Sequence, residues 1–380
     1  MKRFISEHSG NLIWGFDALR IFGLALFLAL FSGCEDNNDT KVHDPGNFAD
    51  GIFVLNEGAW GASNSSVSFI PADKDTVFAD LFITANGEDA VLGDVLMDMV
   101  SVDTLSYLVL NSSHSVMVVN NKNFEYVDEI TGEVNNPRHA IVYNGLIYLT
   151  QWGKFGQEGA VLVIDPFDFS VVATIATGQG AHGIKEIDGK IWVANSGGYG
   201  YANTVTIINP ENNTVERTIE VGDCPQNFVV DYKGNVWVLS SGYTEYDEQW
   251  QVINQTEPYL TCIDGETYEV SKNFQISSYT SPTEITISKD KKNIYFGGGS
   301  GGAKLWKVSV DNDELPSGTF ADLSPYGISV HPETGNLYCG MAPDFTKPGS
   351  VIVLDNEGNE VKEYNENIGI GPRRFIYVSQ

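Results

Sequence analysis

Basic residues are scarce in this chain. Its 380 residues carry 22 Lys plus Arg against 50 Asp plus Glu, a formal net charge of −28 at pH 7. A surface of that sign repels phosphate backbones, which argues against nucleic acid as a partner and favours an exposed, soluble protein. Cysteine is also rare: Cys34, Cys224, Cys262 and Cys339 show no Cys-x-x-Cys spacing and form no recognisable disulfide or zinc framework. The histidines include no His-x-His or His-Glu-x-x-His pair, so no metal site and no cofactor are expected. Long apolar runs are missing too. Ile21 to Phe31 has 11 residues, too few to span a bilayer, and nothing after it shows a convincing 3.6-residue period.

What the chain does have is internal repetition. A unit of about 45 residues recurs, opened by a proline and followed by a Gly-x-apolar-Tyr/Trp-Val strand. The clearest copies begin at Pro137, Ala181, Pro225, Pro282, Pro325 and Pro372, with spacings of 44, 44, 57, 43 and 47 residues. One copy reads as four short alternating strands: Ala140 to Val142, Leu146 to Thr150, Val161 to Asp165 and Val171 to Ala176. Period-two alternation between Gly and Asn/Asp turns argues strand. Four strands in a unit of this length make a β-propeller blade, whose faces are buried only by neighbouring blades.

A weaker copy begins near Asp94, and a split one supplies the seventh. Gly51 to Asn56, Ser66 to Ile70 and Val77 to Phe82 read as second, third and fourth strands without a first. The missing strand is Pro372 to Val378 at the other end of the chain, and pairing it with the N-terminal blade closes the ring and protects the open edges. Gly51 through Ser379 gives 47 residues to each of seven blades, whereas eight would leave 41 and require a copy that is not there. The expectation is an all-β, seven-bladed propeller over 51–380.

Ahead of it, the apolar run ends in Phe31-Ser32-Gly33-Cys34, small residues before a cysteine that resemble a bacterial lipobox with Phe where Leu is usual. The reading is a lipoprotein signal peptide over 1–33, lipidation at Cys34, and an acidic tether over 34–50 that begins Glu35-Asp36-Asn37-Asn38-Asp39. Loss of 1–33 removes three basic and two acidic side chains, leaving 19 against 48, a net charge of −29. An acidic run directly after the lipidated cysteine resembles the surface-export signal of Bacteroidota lipoproteins. The expected location is the outer membrane, facing outward, with a periplasmic orientation as the alternative.

Strand alternation places the loop entering strand one and the loop joining strands two and three on the same face. Propeller ligands usually occupy the channel mouth there. The residues after each opening proline should ring that mouth: Arg138, His139, His182, Gln226, Asn227, Tyr326, Arg373 and Arg374, with Glu284 as the one axial carboxylate. Only four arginines follow Cys34, and three are in this set. Aromatic residues collect in the loops of the same face, among them Trp60, Trp152, Phe155, Tyr199, Tyr201, Tyr243, Tyr246, Trp250 and Phe345. The fifth blade's extra length falls in Tyr243 to Pro258, a candidate lid or rim. Arginine forks suit phosphate or carboxylate, and Trp and Tyr cover flat or sugar-like surfaces. The structural alternative is that these arginines pair with local carboxylates and some aromatics wedge between blades.

Other strings are declined on context. Gly178-Gln179-Gly180-Ala181-His182-Gly183 satisfies a dinucleotide fingerprint, and Gly298-Gly299-Ser300-Gly301-Gly302 a nucleophile elbow, but each requires a helix where strands are read. Asp355-Asn356-Glu357-Gly358-Asn359 lacks the spacing of a calcium loop and fits a strand-to-strand turn.

Leu55-Asn56-Glu57-Gly58-Ala59-Trp60-Gly61 followed by Asn64-Ser65-Ser66-Val67, the Leu92-Gly93-Asp94 blade entry, and the strands ending Ile164-Asp165-Pro166 and Ile208-Asn209-Pro210 resemble YncE-like surface-layer propeller lipoproteins of Bacteroidota. The resemblance runs from Gly51 to the end. That group includes propellers that bind cobalamin above a TonB-dependent outer-membrane transporter. It implies a non-enzymatic capture protein for a corrinoid or other bulky nutrient, with the basic ring meeting a phosphodiester and the aromatic loops a macrocycle. A scaffold or adhesion propeller that binds a partner protein, and a metal-dependent lactonase or hydrolase, are the alternatives.

Overall fold

The computed structural model describes residues 48–276 and 281–379. The signal peptide, Cys34 and nearly all of the tether lie outside the described residues. The ring belongs to one compact unit, Asp44–Gln380. Among the described residues no helix is long and apolar enough to cross a membrane.

Alternating apolar residues between tight polar turns fold into hairpins, and the strands fall where that pattern puts them. The third blade is Pro137–Tyr143, Leu146–Gln151, Gly159–Ile164 and Val171–Gly178, paired in chain order. Its first turn is Asn144-Gly145, and the equivalent turn of the fourth blade is Asp188-Gly189, both residues of each at positive φ. That is the two-residue hairpin whose twist matches the strands it joins. The blades open with first strands Leu96–Val102, Pro137–Tyr143, Ala181–Ile187, Pro225–Val230, Glu284–Ile287, Gly327–Val330 and Pro372–Val378. Each contacts the next around the axis, and the C-terminal one contacts the first strands of both the second and the seventh blade.

Closure is by backbone pairing across the whole chain. Gly51–Asn56 lies between Ser66–Pro71 and the C-terminal strand, with Ile52 opposite Tyr377, Val54 opposite Phe375 and Leu55 opposite Arg374. The blade faces carry the hydrophobic stabilisation. Seven buried clusters occupy the seven gaps between neighbours, such as Phe53 and Leu55 against Met99 and Leu108, or Val54 and Phe375 against Val351. A fully buried side chain of that size contributes about 1.5–3 kcal/mol, so each gap is a small core of its own. Trp192 and Trp237 are buried in two of them. Cys262 and Cys339 are free thiols within this packing, and Cys224 is a buried free thiol outside these clusters.

Two outer edges differ from the pattern. Val77 to Phe82 is not a fourth strand: only a bridge from Phe78 to Phe69 forms, and Leu81–Asn86 is a short helix. Asp80 caps it through the Ile83 amide, Leu81 and Phe82 enter the core, and Asn86 bonds the Phe124 carbonyl and the Tyr126 amide of blade two. Apolar anchoring and capping outweigh strand propensity here, in a segment shorter than two turns, where no period can be read. The sixth blade likewise has three strands plus a bridge between Leu305 and Ala321. The fifth blade's excess folds into a hairpin of Thr244–Tyr246 and Val252–Gln255.

Candidate functional site

The two sets of loops do share a face. In the first five blades, amides that follow strand two donate to carbonyls of the segment entering strand one: Glu57 to Gly371, Asn111 to Val95, Trp152 to Asn136, Ser196 to Gly180, and Ser241 to Cys224. These tie each aromatic loop to the channel mouth. In the same five blades the register slips at the start of strand one, between Pro372 and Arg374, Leu96 and Asp98, Pro137 and Ala140, Ala181 and Ile184, and Pro225 and Asn227. A repeated bulge of this kind re-aims side chains at a rim. It falls on Arg138, His139, His182, Gln226 and Arg373.

Below the mouth runs a cavity of about 320 Å³, lined by His139, His182, Asn227, Glu284, Arg373 and Arg374 at one end and by Ile141, Ile184 and Ile287 further in. Its polar end is extensively cross-linked. Arg373 donates to Glu57 Oε1 at 2.7 Å and to Glu284 Oε1 at 2.9 and 3.0 Å, and the Tyr326 hydroxyl donates to Glu57 Oε2. Burial alone would lower the Arg373 pKa, but Glu284 and Glu57 outweigh it and hold the pKa well above its ordinary value. Burial, then Glu57, raises that of Tyr326. Arg374 donates to Asp98 Oδ1 at 2.6 Å, and His139 Nδ1 lies 3.2 Å from Asp98 Oδ2. Burial raises the Asp98 pKa, with Arg374 and the Ala140 and Met99 amides opposing. Burial, with Arg374, Arg138 and Arg373 behind it, keeps the His139 pKa well below the usual imidazole range, so neutral His139 donates to the Asp98 carboxylate.

Sequence alone finds one carboxylate here, yet among the described residues three, Glu57, Asp98 and Glu284, pair with the mouth arginines. Asp98 follows Leu96 as His139 follows Pro137 and Arg374 follows Pro372, so it was findable in register, but blade two opens without a proline. Glu57 reaches the axis from a loop. Arg373 and Arg374 are therefore engaged by the ring's own carboxylates. Arg138 is different: its guanidinium stacks 4.3 Å from the Trp152 ring centroid and meets no carboxylate within ion-pair distance among the described residues. Gln226 bonds the Cys224 carbonyl and Ser241, and Asn227 accepts from the Phe228 amide.

The aromatic loops remain open. Trp60, Phe155 and Trp250 are 84, 82 and 80% exposed, with Tyr199, Tyr201 and Tyr246 also exposed. Phe155, Tyr199 and Trp152 form an edge-to-face chain with centroids 5.7 Å apart at each step, Trp152 reaches His182 at 6.0 Å, and Tyr201 meets Tyr243 at 5.4 Å. Trp250 pairs with Tyr246 on the hairpin. Among the described residues no group of three His, Cys, Asp or Glu is placed to hold a metal. The declined glycine strings are strand junctions: Ala181–Ile187 and Ala303–Ser309 run where a helix would be needed.

The sequence profile of the family described as a domain of unknown function (DUF5074) matches residues 50–370. No curated protein matches the chain. Among solved structures, a quinonprotein alcohol dehydrogenase-like protein of Bacteroides thetaiotaomicron is similar at 14% identity, with a TM-score of 0.60 over 88% of this chain and 79% of that one. The periplasmic gluconolactonase of Pseudomonas aeruginosa is similar at 10% identity and a TM-score of 0.61, over 86% of this chain and 99% of that one. A putative 6-phosphogluconolactonase of Bacteroides fragilis is similar at 13% identity and a TM-score of 0.60, over 88 and 100%. Likeness at that distance describes the fold and leaves the chemistry open.

Proposed function

The chain belongs to the DUF5074 family of domains of unknown function, and on that premise and the geometry of the mouth we propose that it is a non-enzymatic capture protein. It is anchored by lipid at Cys34 to the outer membrane, facing outward, and holds a bulky nutrient for a TonB-dependent transporter. A corrinoid such as cobalamin is the first ligand to test.

The observation that carries this reading is the aromatic cover of a single face. Three large rings, Trp60, Phe155 and Trp250, stand at least four-fifths exposed on loops that surround a channel mouth. Exposed apolar area of this kind is unfavourable in water unless something covers it. Trp and Tyr cover broad, flat ligands at low entropic cost. Calorimetry with cyanocobalamin on the unit Asp44–Gln380 tests the ligand. Saturable binding is expected, weakened about tenfold or more by Trp60→Ala together with Trp250→Ala, whose melting temperature should not move. Undetectable heat at high micromolar vitamin removes the corrinoid, and binding untouched by the double variant removes the mouth.

A further inference from the structure

Three nitrogens at the mouth have no hydrogen-bond partner among the described residues: Arg138 Nε, Trp152 Nε1 and His182 Nδ1, the first two of them obligate donors. They are on side chains in mutual contact, the guanidinium over the indole at 4.3 Å and the indole 6.0 Å from the imidazole. Arg138 is 8% exposed and His182 4%. Folded proteins pair nearly all buried donors with protein, water or ligand. Three orphans on contacting side chains therefore mark a place built for a partner.

Charge narrows what that acceptor is. Arg373 has Glu57 and Glu284, and Arg374 has Asp98, whereas Arg138 has no ion pair among the described residues and feels Glu57, Tyr326 and Glu284 through space. Burial, and then Arg373, lower its pKa to about 10, which still leaves it cationic at neutral pH. Burial, then Arg138 and His139, keep His182 neutral. A neutral imidazole in its Nδ1–H form offers a donor without adding charge. With that tautomer the cluster presents one positive charge and three N–H groups, two of them, on Arg138 and Trp152, donors in any case. An oxyanion accepts without donating and supplies the missing charge, while water meets the first need only.

We propose that Arg138, Trp152 and His182 form a recognition site for an oxyanion, a carboxylate or phosphate group carried by the captured ligand. The site deepens the capture reading and rests on it for the ligand's existence, but free anions test it separately. Trp152 is the reporter: its indole N–H resonance, assigned by its loss in Trp152→Phe, is followed in the unit Asp44–Gln380, within which the ring closes. Inorganic phosphate and acetate are titrated in turn at constant ionic strength, with chloride as the balancing salt. At least one should give a saturable shift with a Kd of about 1 mM or tighter, abolished in Arg138→Gln and weakened in Arg138→Lys. Which anion shifts the signal tells phosphate from carboxylate. No saturable shift in the wild-type protein up to about 30 mM of either anion overturns the proposal, and water then fills the site. That titration decides even if Arg138→Gln fails to fold. A protein that binds the anions but not cyanocobalamin keeps this site and loses the corrinoid. Vitamin binding undiminished in a folded Arg138→Gln protein takes the ligand's anionic group away from it.

Discussion

Arg373→Gln should destabilise the propeller more than any single change at the exposed rim. The guanidinium lies between Glu57 and Glu284, with side chains 16, 9 and 17% exposed, and ties blade one to blade six across the Tyr326 hydroxyl of blade seven. Removing one partner of a buried ion pair costs about 3–5 kcal/mol, because the remaining charge stays buried without compensation. Residual exposure puts this site near the lower end, at about 3 kcal/mol. Unfolding entropy is about 2.1 cal/mol/K per residue, which over a ring of this size makes 3 kcal/mol a drop of about 4 °C in melting temperature. Scanning calorimetry or circular dichroism reads it directly. The reasoning has a second arm: Arg373→Met with Glu57→Gln and Glu284→Gln removes all three charges and should recover most of the loss. A single variant melting within about 1 °C of the parent would refute the ion-pair account and return Arg373 to the pool of free ligand donors.

Acid should loosen the ring before it protonates ordinary carboxylates. His139 and His182 have folded pKa values well below the unfolded value near 6.5, so the unfolded chain binds more protons and stability falls as pH drops through that value. Each contributes a loss of about 1.4 kcal/mol by pH 5.5. Asp98, raised by burial, takes up its proton in the folded state first and works in the opposite sense as pH falls through its folded value. Melting temperatures at pH 7.5 and 5.5 that coincide would contradict buried neutral imidazoles. Gly327→Ala should disrupt closure: a Cβ there would lie 1.8 Å from the Arg373 carbonyl oxygen, backbone against backbone with no flexible atom to yield. Overpacking of that kind costs about 3 kcal/mol or more, and an alanine variant with unchanged melting and solubility would show that the inner strands of blades seven and one are less crowded than described.

The ring was legible because its information is periodic. The opening prolines, the Gly-x-apolar-aromatic strands and the Asn144-Gly145 and Asp188-Gly189 turns each state the same local geometry, and repetition multiplies a weak signal. The split blade was legible for the same reason, since Pro372 to Val378 has a first-strand pattern and Gly51 to Asn56 a second-strand pattern that lacks one. Where the repeat lapses, so does the reading. Leu81–Asn86 is too short to show a helical period, and Asp98 is in a blade whose opening residue is Leu96. Glu57 stands out in the sequence only as part of the Leu55 to Gly61 motif, while its contact with Arg373 spans 316 residues and is set only by closure.

That last contact separates two meanings of an arginine at a channel mouth. Position in the repeat brings Arg138, Arg373 and Arg374 to the same rim and says nothing about what neutralises each. Neutralisation depends on residues the repeat does not predict: a loop glutamate for Arg373, an aspartate in an irregular blade for Arg374, and an indole for Arg138. An ion-paired guanidinium must give up a buried carboxylate before it can take a ligand anion, so exchange there is opposed by the same energy that holds the ring together. Arg138 faces no such exchange. Trp152 binds the face of the guanidinium and leaves its in-plane Nε–H without an acceptor among the described residues. On the proposed reading, specificity at this mouth belongs to the arginine held by an aromatic ring, and the two held by carboxylates belong to the fold.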